Sequence, residues 1–312
     1  MSTYFPFLRG KREELFALRA LATRIAASSS IIPIIEPVNG NSNTVNSFDA
    51  YVEAGMRFVF VTNPKHGSYK AHSQQLHTEF CEDGSLAEYD NYVPAIYISR
   101  NTRMQEVNWF NENYDSPFRA VIYEGEPTSA HVRDWCANEN RIYHHIILDG
   151  KVNAQFIQDI PIPRRVMIRD NFTRQARNAD YPEMEHFTSM NTAAGNPDNV
   201  NWGDYSIQGD HFSDGGGAAM TVAIHHIHYS DNGESLDINH YLSDRQETTD
   251  DPGGKTIEAA EKLVADFTEI APSDTVACNE YQLMVDTQHW KGLGYLKRLA
   301  IRHHLEVLLA ND

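Results

Sequence analysis

Short apolar runs alternate with polar, helix-compatible stretches along most of the chain, and this alternation constrains the fold more than any other feature. The runs are rich in Val, Ile, Phe and Tyr, and several are apolar on both alternating faces, as strands covered on both sides are. Regular succession of such runs and helices is typical of βα units around a parallel sheet. Eight runs qualify, at residues 31–38, 57–62, 92–99, 119–124, 144–149, 164–169, 205–209 and 222–229.

Eight such runs within about 200 residues favour a closed barrel over an open, doubly wound sheet. The predicted fold class is therefore α/β, a (β/α)8 TIM-barrel-like single domain with long loops and closing C-terminal helices. Within residues 1–312 we expect an N-terminal strand and helix over 1–30, a barrel core over 31–230, and a loop with closing helices over 231–312.

Helical periodicity is clearest near the two ends of the chain. Residues 11–27 carry Leu15, Leu18 and Ile25 at helical spacings, and residues 293–309 carry a comparable apolar stripe. A run at 4–9 is a candidate extra strand. Two polar stretches, 173–204 and 244–254, are predicted to be long surface loops.

The charge balance restricts the partners. Against 26 Lys and Arg stand 43 Asp and Glu, a formal net charge of -17, and 41% of the residues are apolar. The apolar share is too high for a disordered chain, and no apolar stretch reaches the roughly 20 residues that a membrane-spanning helix needs. The acidic excess opposes direct binding of nucleic acid, so we expect a small anionic ligand or a partner protein instead.

Cysteine usage and the N-terminus bear on the compartment. Cys81, Cys136 and Cys278 are odd in number and form no CxxC pair, which predicts free thiols rather than a disulfide framework. Residues 1–11 hold no apolar core with a small-residue cleavage site, so no secretory signal is expected. Together these features predict a cytoplasmic protein.

Motifs at both ends of the chain resemble those of the uncharacterised bacterial and phage "beta protein" family. The opening motifs are YFPFLRGK at 4–11, ELFAL at 14–18 and IPIIEP at 32–37. The closing motifs are GLGYLK at 292–297 and IRHHLE at 301–306, with Ile224, His225 and Tyr229 before them. The resemblance implies a barrel-like α/β fold and a bacterial or phage setting, often among mobile or defence-related genes. It implies no established activity.

The residues that end the predicted strands are unusually polar. In α/β barrels the active-site residues come from the carboxyl ends of the strands. Charged side chains also mark the places where any strand meets solvent, and this simpler interpretation stays open for each residue. We select Glu36, Arg169, Asp170, Asp210 and His225 as candidate catalytic residues, and Arg9, Lys11, Lys65, Arg100 and Tyr229 as candidate substrate-binding residues.

Glu36 is the strongest single candidate. It follows a strongly apolar run and stands between Pro33 and Pro37, so we expect a partly desolvated carboxyl group with a raised pKa, suited to act as a general base. Arg169 and Asp170 are a candidate pair in which the guanidinium binds a phosphate or carboxylate and the acid orients the guanidinium or accepts a proton. An ordinary salt bridge is the alternative for that pair.

Histidines in the last predicted strand suggest a metal site. Residues i and i+2 of a strand share a face, so His226 and His228 can bind one ion together while His225 points the other way. No HExxH motif supports this, so a divalent metal is an open expectation only. His303 and His304 are interpreted as packing or surface residues.

Two classes of function remain open. The first is an enzyme that uses acid/base or metal-assisted hydrolysis on a small anionic or phosphorylated substrate at the barrel mouth. The alternative is a non-catalytic protein-binding or sensor component of a bacterial or phage defence-related system. A shared, enclosed location for the polar strand ends would favour the enzyme.

Overall fold

The chain divides into two units. The computed structural model describes residues 2–213, 215, 217 and 219–310. The predicted single domain also includes six positions that lie outside the described residues, namely 1, 214, 216, 218, 311 and 312. The first unit comprises Met1–Leu15, Ala22–Asp170 and Asp198–Tyr205, and the second comprises Phe16–Leu21, Asn171–Pro197 and Ser206–Asp312. The expectation of one domain stays a prediction.

Eight parallel strands form a nearly closed barrel in the first unit, which confirms the predicted fold class. Each strand pairs with the next, and Phe5 N–H donates to the carbonyl of Trp202 at 2.7 Å to join the two ends of the sheet. In order the barrel strands are β1 (Phe7–Leu8), β2 (Ile34–Ile35), β3 (Phe58–Val61), β4 (Tyr92–Ile98), β5 (Arg119–Tyr123), β6 (Ile142–Leu148), β7 (Arg165–Arg169) and β9 (Asn201–Asp204), while β8 (Met184–Thr188) belongs to the second unit.

Alternate residues of the barrel strands fill two different layers. On β4, Ala95 and Tyr97 lie in the barrel interior, whereas Ile96 and Ile98 pack outward in a layer that includes Phe110. Most residues on both faces of the barrel strands are therefore buried, which explains why the sequence runs are largely apolar. Beyond the carboxyl end of a strand, the next residue in the interior register points its side chain towards the barrel mouth.

Helices connect the barrel strands. Several begin at a residue whose side chain accepts a backbone N–H: Asn41 caps one, Ser129 another and Asn153 a third. A π-helical turn, Thr78–Glu82, follows the third helix. The helices are α1 (Arg12–Ala27), α2 (Ser42–Glu53), α3 (Ser73–His77), α4 (Met104–Asn113), α5 (Ala130–Asn138) and α6 (Ala154–Gln158).

The second unit is built on a small antiparallel sheet. Its strands are β10 (Ala223–Tyr229), β11 (Leu236–Leu242) and β8, in the spatial order β10, β11, β8. Its helices are α7 (Pro252–Ala265), α8 (Val276–Thr287) and α9 (Leu293–Leu309), and α9 packs on β10 and α8. No helix in the described part of the chain has the length and apolar character needed to cross a membrane.

Two of the predicted barrel strands are wrong. Residues 205–209 hold a 3-10 turn, Ser206–Gln208, and residues 222–229 form β10, which runs antiparallel to its neighbour in the second sheet. The barrel instead begins at the run interpreted as an extra strand and ends at β9, inside the predicted loop 173–204. β10 carries three histidines in seven residues, whereas the barrel strand richest in histidine, β6, carries two.

Candidate active site

Side chains that extend the interior face of the barrel strands converge at the carboxyl end of the barrel. Arg9 lies two residues beyond Phe7, which faces the interior, and Glu36 lies two residues beyond Ile34. Tyr97 comes from the interior face of β4 itself. Because alternate strand residues share a face, these three side chains are directed to one place. We call Arg9, Glu36, Lys65, His66 and Tyr97 the Glu36 cluster.

The chain approaches Glu36 closely at Gly10. Gly10 has φ +59°, and a Cβ placed there would lie 2.7 Å from the carbonyl oxygen of Glu36. The backbone N–H of Glu36 donates to the carbonyl of Leu8 at 2.9 Å. A residue without a side chain therefore lets Arg9 turn towards the carboxylate directly after β1 ends.

Glu36 is fully buried and contacted on both carboxylate oxygens. Oε1 accepts the backbone N–H of Lys65 at 2.7 Å and lies 3.0 Å from Nδ1 of His66. Oε2 accepts the hydroxyl of Tyr97 at 3.1 Å and lies 3.4 Å from Nε of Arg9. The Glu36 side chain is 0% exposed, so the charge is stabilised by these partners rather than by water.

The expected raised pKa of Glu36 is wrong. Burial does raise the pKa of this carboxyl, but hydrogen bonds from His66 and from the Lys65 backbone, with the charges of His66 and Arg9, outweigh burial and leave the pKa lowered. The apolar residues around Glu36 in the sequence indicated that its carboxyl group is desolvated. They could not show which groups donate hydrogen bonds to it. Glu36 therefore stays ionised near neutral pH, and it orders its neighbours rather than serving as a poised base.

Lys65 is the group whose protonation is poised near neutral pH. Burial lowers the pKa of its amine to about 8; the Glu36 charge opposes this shift and the Lys151 charge adds to it. The ammonium lies against the carboxylate of Glu124 and 4.6 Å from the centre of the Tyr97 ring. Its side chain is 27% exposed, so a small molecule can reach it from solvent.

Asn63 fixes the loop that carries Lys65. Its Oδ1 accepts the backbone N–H of Tyr97 at 2.7 Å, and its Nδ2 donates to the Tyr97 carbonyl at 3.2 Å. The side chain thus continues the pairing of β3 with β4 beyond the end of β3. This clamp sets the position from which the Lys65 backbone binds Glu36.

Aromatic rings enclose the cationic members of the cluster. The guanidinium of Arg9 lies 4.9 Å from the ring centre of Tyr205 and 5.8 Å from that of Phe7. Burial, with the Glu36 charge next, raises the pKa of Tyr97 well above its usual value, so its hydroxyl stays protonated and donates. The cluster therefore combines a fixed anion, a held guanidinium and a titratable amine.

Other predicted barrel residues lie outside the Glu36 cluster. Arg169 ends β7 at the same end of the barrel, but Ile168 takes the interior position, and the Arg169 guanidinium lies 4.0 Å from Asp149. Asp170 follows it and is exposed. Arg169 thus has Asp149 as an ionic neighbour, and its pairing with Asp170 stays a prediction. Exposed Arg100 follows β4, and its carbonyl accepts Thr128 Oγ1 at 2.8 Å.

Lys11 stands at the start of α1. Its backbone N–H donates to Oε2 of Glu14 at 3.3 Å, a contact that caps the helix. The predicted binding role of Lys11 stays a prediction.

Three predicted site residues belong to the second unit and end no barrel strand. Asp210 follows a 3-10 turn and is exposed. His225 lies on β10, with Nδ1 2.7 Å from Nδ1 of His240, and Tyr229 donates its hydroxyl to the carbonyl of Val307 at 3.2 Å. Their expected place on the barrel rim is wrong, because the runs that carry them are not barrel strands.

The pairing of His226 with His228 on one ion stays a prediction. Nδ1 of His228 lies 2.8 Å from the carbonyl of Tyr229, and its Nε2 lies 3.1 Å from Oδ1 of Asn239. Among the described residues, His226 instead groups with Cys278 and His303.

Sequence reasoning missed His66 and Tyr97. His66 follows Lys65 directly, beyond the polar end of β3. The strand-end rule that selected Lys65 therefore applies to His66 as well. Tyr97 was concealed inside an apolar run, where only its interior register, two residues before Ser99, pointed to the mouth. The signal for Tyr97 is its position in the interior register of β4, which an inspection of strand ends alone does not include.

Comparisons of the chain with family models, with curated proteins and with solved structures found no match. The function is therefore inferred from the residues of the site.

Proposed function

We propose that the barrel is an enzyme that binds a small anionic substrate beside the Glu36 cluster and transfers a proton with the amine of Lys65. The observation that carries this proposal is the Lys65 amine, whose pKa is lowered to about 8 at the carboxyl end of the barrel. At pH 7 such an amine has about 300 times more of its neutral form than a lysine with the ordinary pKa of 10.5. Acid/base groups work best with a pKa near the working pH.

A second ammonium group near Lys65 provides positive charge for binding an anion. Lys151 is close enough to lower the pKa of Lys65, so two ammonium groups share this part of the rim. An anionic substrate would relieve their mutual repulsion on binding. A phosphate or carboxylate group is therefore the substrate feature that the site fits best.

Glu36 has a positioning role in this proposal. Its four contacts hold Arg9, His66, Tyr97 and the Lys65 backbone in one arrangement. Glu124 lies against the Lys65 ammonium and is 37% exposed, so it is the carboxylate able to exchange a proton with solvent. Lys65 and Glu124 then form the working acid/base pair, while Glu36 maintains its geometry.

The resemblance to the beta protein family supports the same location. Its motifs at 4–11 and 32–37 contain Arg9, Gly10 and Glu36, which lie together at the barrel mouth. We propose membership of that family, and with it a bacterial or phage setting, on this basis.

Pyridoxal 5′-phosphate is a suitable probe because it joins an aldehyde to a phosphate. Its aldehyde condenses with a neutral amine to an imine, releasing water, and borohydride then reduces the imine to a stable amine. We expect one label per chain, located at Lys65 by peptide mass spectrometry. Added inorganic phosphate should slow the labelling, because it competes for the cationic rim.

Two lysine variants provide the control. Lys65→Arg should abolish the label, whereas Lys70→Arg, which removes an exposed lysine of the same unit, should leave it intact. Label spread over many lysines and unaffected by Lys65→Arg would contradict the proposed function.

A further inference from the structure

Three metal-binding side chains meet inside the second unit, outside the proposed active site. His226 comes from β10, Cys278 from α8 and His303 from α9. Each can offer a ligand atom, and these atoms all lie within 4.8 Å of one another. Their exposed fractions are 0%, 1% and 0%, so the cluster is closed to bulk water.

His226 is a buried polar side chain in need of a partner. In the part of the chain that the structure describes, neither of its ring nitrogens has a hydrogen-bond partner. Its ring stacks on that of His303, with centres 3.8 Å apart and planes 18° from parallel. Burying two unpaired polar atoms is costly, and buried polar groups in folded proteins are nearly always satisfied. An ion at this position would satisfy a nitrogen of His226.

His303 is oriented as a metal ligand would be. Its Nε2 lies 2.7 Å from the carbonyl of Ile227, which can only accept, so Nε2 carries the proton. The lone pair then resides on Nδ1, which lies 3.6 Å from Sγ of Cys278 and 2.9 Å from Oγ1 of Thr275. Metal-binding histidines typically donate their second ring N–H to a carbonyl or carboxylate in this way.

The separation of the ligand atoms suits a tetrahedral ion. Zinc binds nitrogen at about 2.0–2.1 Å and sulfur at about 2.3 Å, which places tetrahedral nitrogen and sulfur ligands about 3.6 Å apart. The distance from His303 Nδ1 to Cys278 Sγ is 3.6 Å. The ligand atom of His226 lies within 4.8 Å of the other two, and its ring leaves the stack with His303 when both rings bind the same ion.

We propose that His226, Cys278 and His303 bind one zinc ion in the second unit. A thiolate with two imidazoles is a donor set that zinc favours over magnesium or calcium, which take oxygen ligands. The thiol of Cys278 gives up its proton to solvent as the sulfur–zinc bond forms. Thr275 Oγ1 is an oxygen placed to take the fourth position or to hold a water there. The ion joins one strand to two helices, so its role is structural.

Cobalt(II) is the probe that tests the site, because a thiolate bound to cobalt gives a charge-transfer absorption band. The full chain is freed of metal with a chelator and titrated with cobalt. We expect one cobalt per chain with the thiolate band, loss of that band when zinc displaces cobalt, and a higher melting temperature with zinc. Binding without a thiolate band would overturn the proposal, as would no binding. This result needs no variant to fold.

Matched variants then assign the ligands. Cys278→Ser should lose the band and weaken zinc binding by at least about tenfold. Cys136→Ser removes a buried free thiol of the first unit, and His228→Asn changes a neighbouring histidine with other partners; both should keep the band. Folding of each variant is checked by circular dichroism. A folded Cys278→Ser protein that binds cobalt as the parent does would overturn the assignment.

Discussion

The two units bury ionisable side chains in opposite ways. In the barrel, Glu36 is fully buried and stays charged, because Arg9, His66, Tyr97 and the Lys65 backbone surround it. In the second unit, burial lowers the pKa of His226 far below its usual value, so its ring is neutral, and its nitrogens lack hydrogen-bond partners among the described residues.

This difference shows what each buried group can contribute. A paired buried charge fixes the positions of its partners, so Glu36 can arrange an active site without reacting itself. A neutral imidazole keeps a lone pair available, so His226 can bind a metal. Burial alone therefore does not indicate a role; the neighbouring groups determine which form of the side chain is stabilised.

Removing the buried charge should produce the largest effect. Glu36→Ala leaves the guanidinium of Arg9, whose side chain is 11% exposed, beside an empty space. Breaking a buried ion pair in this way costs about 3–5 kcal/mol of unfolding free energy. Denaturant unfolding measures it. Glu124→Ala, which removes a 37% exposed carboxylate, is the control and should cost about 1 kcal/mol or less. Equal losses of unfolding free energy from the two variants would show that the buried charge of Glu36 is no more important than an exposed one.

The second unit should depend more on apolar packing. Leu305 on α9 is 0% exposed, and Leu305→Ala should lower the unfolding free energy by about 2–5 kcal/mol through the cavity it leaves. Leu283→Ala on α8 is the matched control, because Leu283 is 51% exposed and its loss should change the stability by about 0.5 kcal/mol or less. A tolerated Leu305→Ala would show that α9 is not part of the core.

Acid should destabilise the barrel unit through two buried, neutral histidines. Burial lowers the pKa of His144 to about 3 and that of His145 to about 4. Below pH 6.5 the unfolded chain binds protons that the folded chain does not, so stability falls as the pH drops from 6.5 towards 4. Each histidine can contribute about 1.4 kcal/mol per pH unit. Unfolding measured from pH 7.5 to pH 5 tests this.

Replacing one of these histidines sharpens the acid test. His144→Phe keeps an aromatic ring beside Phe5, whose ring centre lies 5.0 Å from that of His144, and removes the titrating group. The variant should lose stability less steeply with acid than the parent protein. An unchanged slope would show that His144 does not titrate on unfolding.

The barrel was largely predictable because its strands are buried on both faces. The runs that became β3 and β4 are apolar throughout, and those that became β5 and β7 have apolar centres, a pattern that regular spacing makes typical of parallel barrel strands. The run at 222–229 was wrongly predicted to be a barrel strand, because an antiparallel strand of the second sheet has a similar length and apolar content. Its histidines did not distinguish it, because the barrel strand β6 also carries two adjacent histidines.

The site was predictable in part. Arg9, Glu36 and Lys65 were selected from strand ends and meet at the barrel mouth. Arg169 was selected by the same rule, but its side chain lies on the outward face of β7. The rule cannot separate the two cases, because successive residues of a strand point to opposite faces. The charge state of Glu36 depends on donors from β1, β3 and β4, which are far apart in sequence. The metal cluster likewise joins residues 226, 278 and 303, whose spacing forms no motif.

The pKa of the Lys65 amine can be measured in the folded protein. Uniformly ¹³C-labelled protein allows the Lys65 side-chain carbon next to the amine to be followed by NMR as the pH is raised, with Lys65→Arg to assign the signal. Burial of the amine, to which the Lys151 charge adds and which the Glu36 charge opposes, predicts a midpoint of about 8. A midpoint near the ordinary value of 10.5 would contradict the proposal that Lys65 is the proton-transfer group of the barrel.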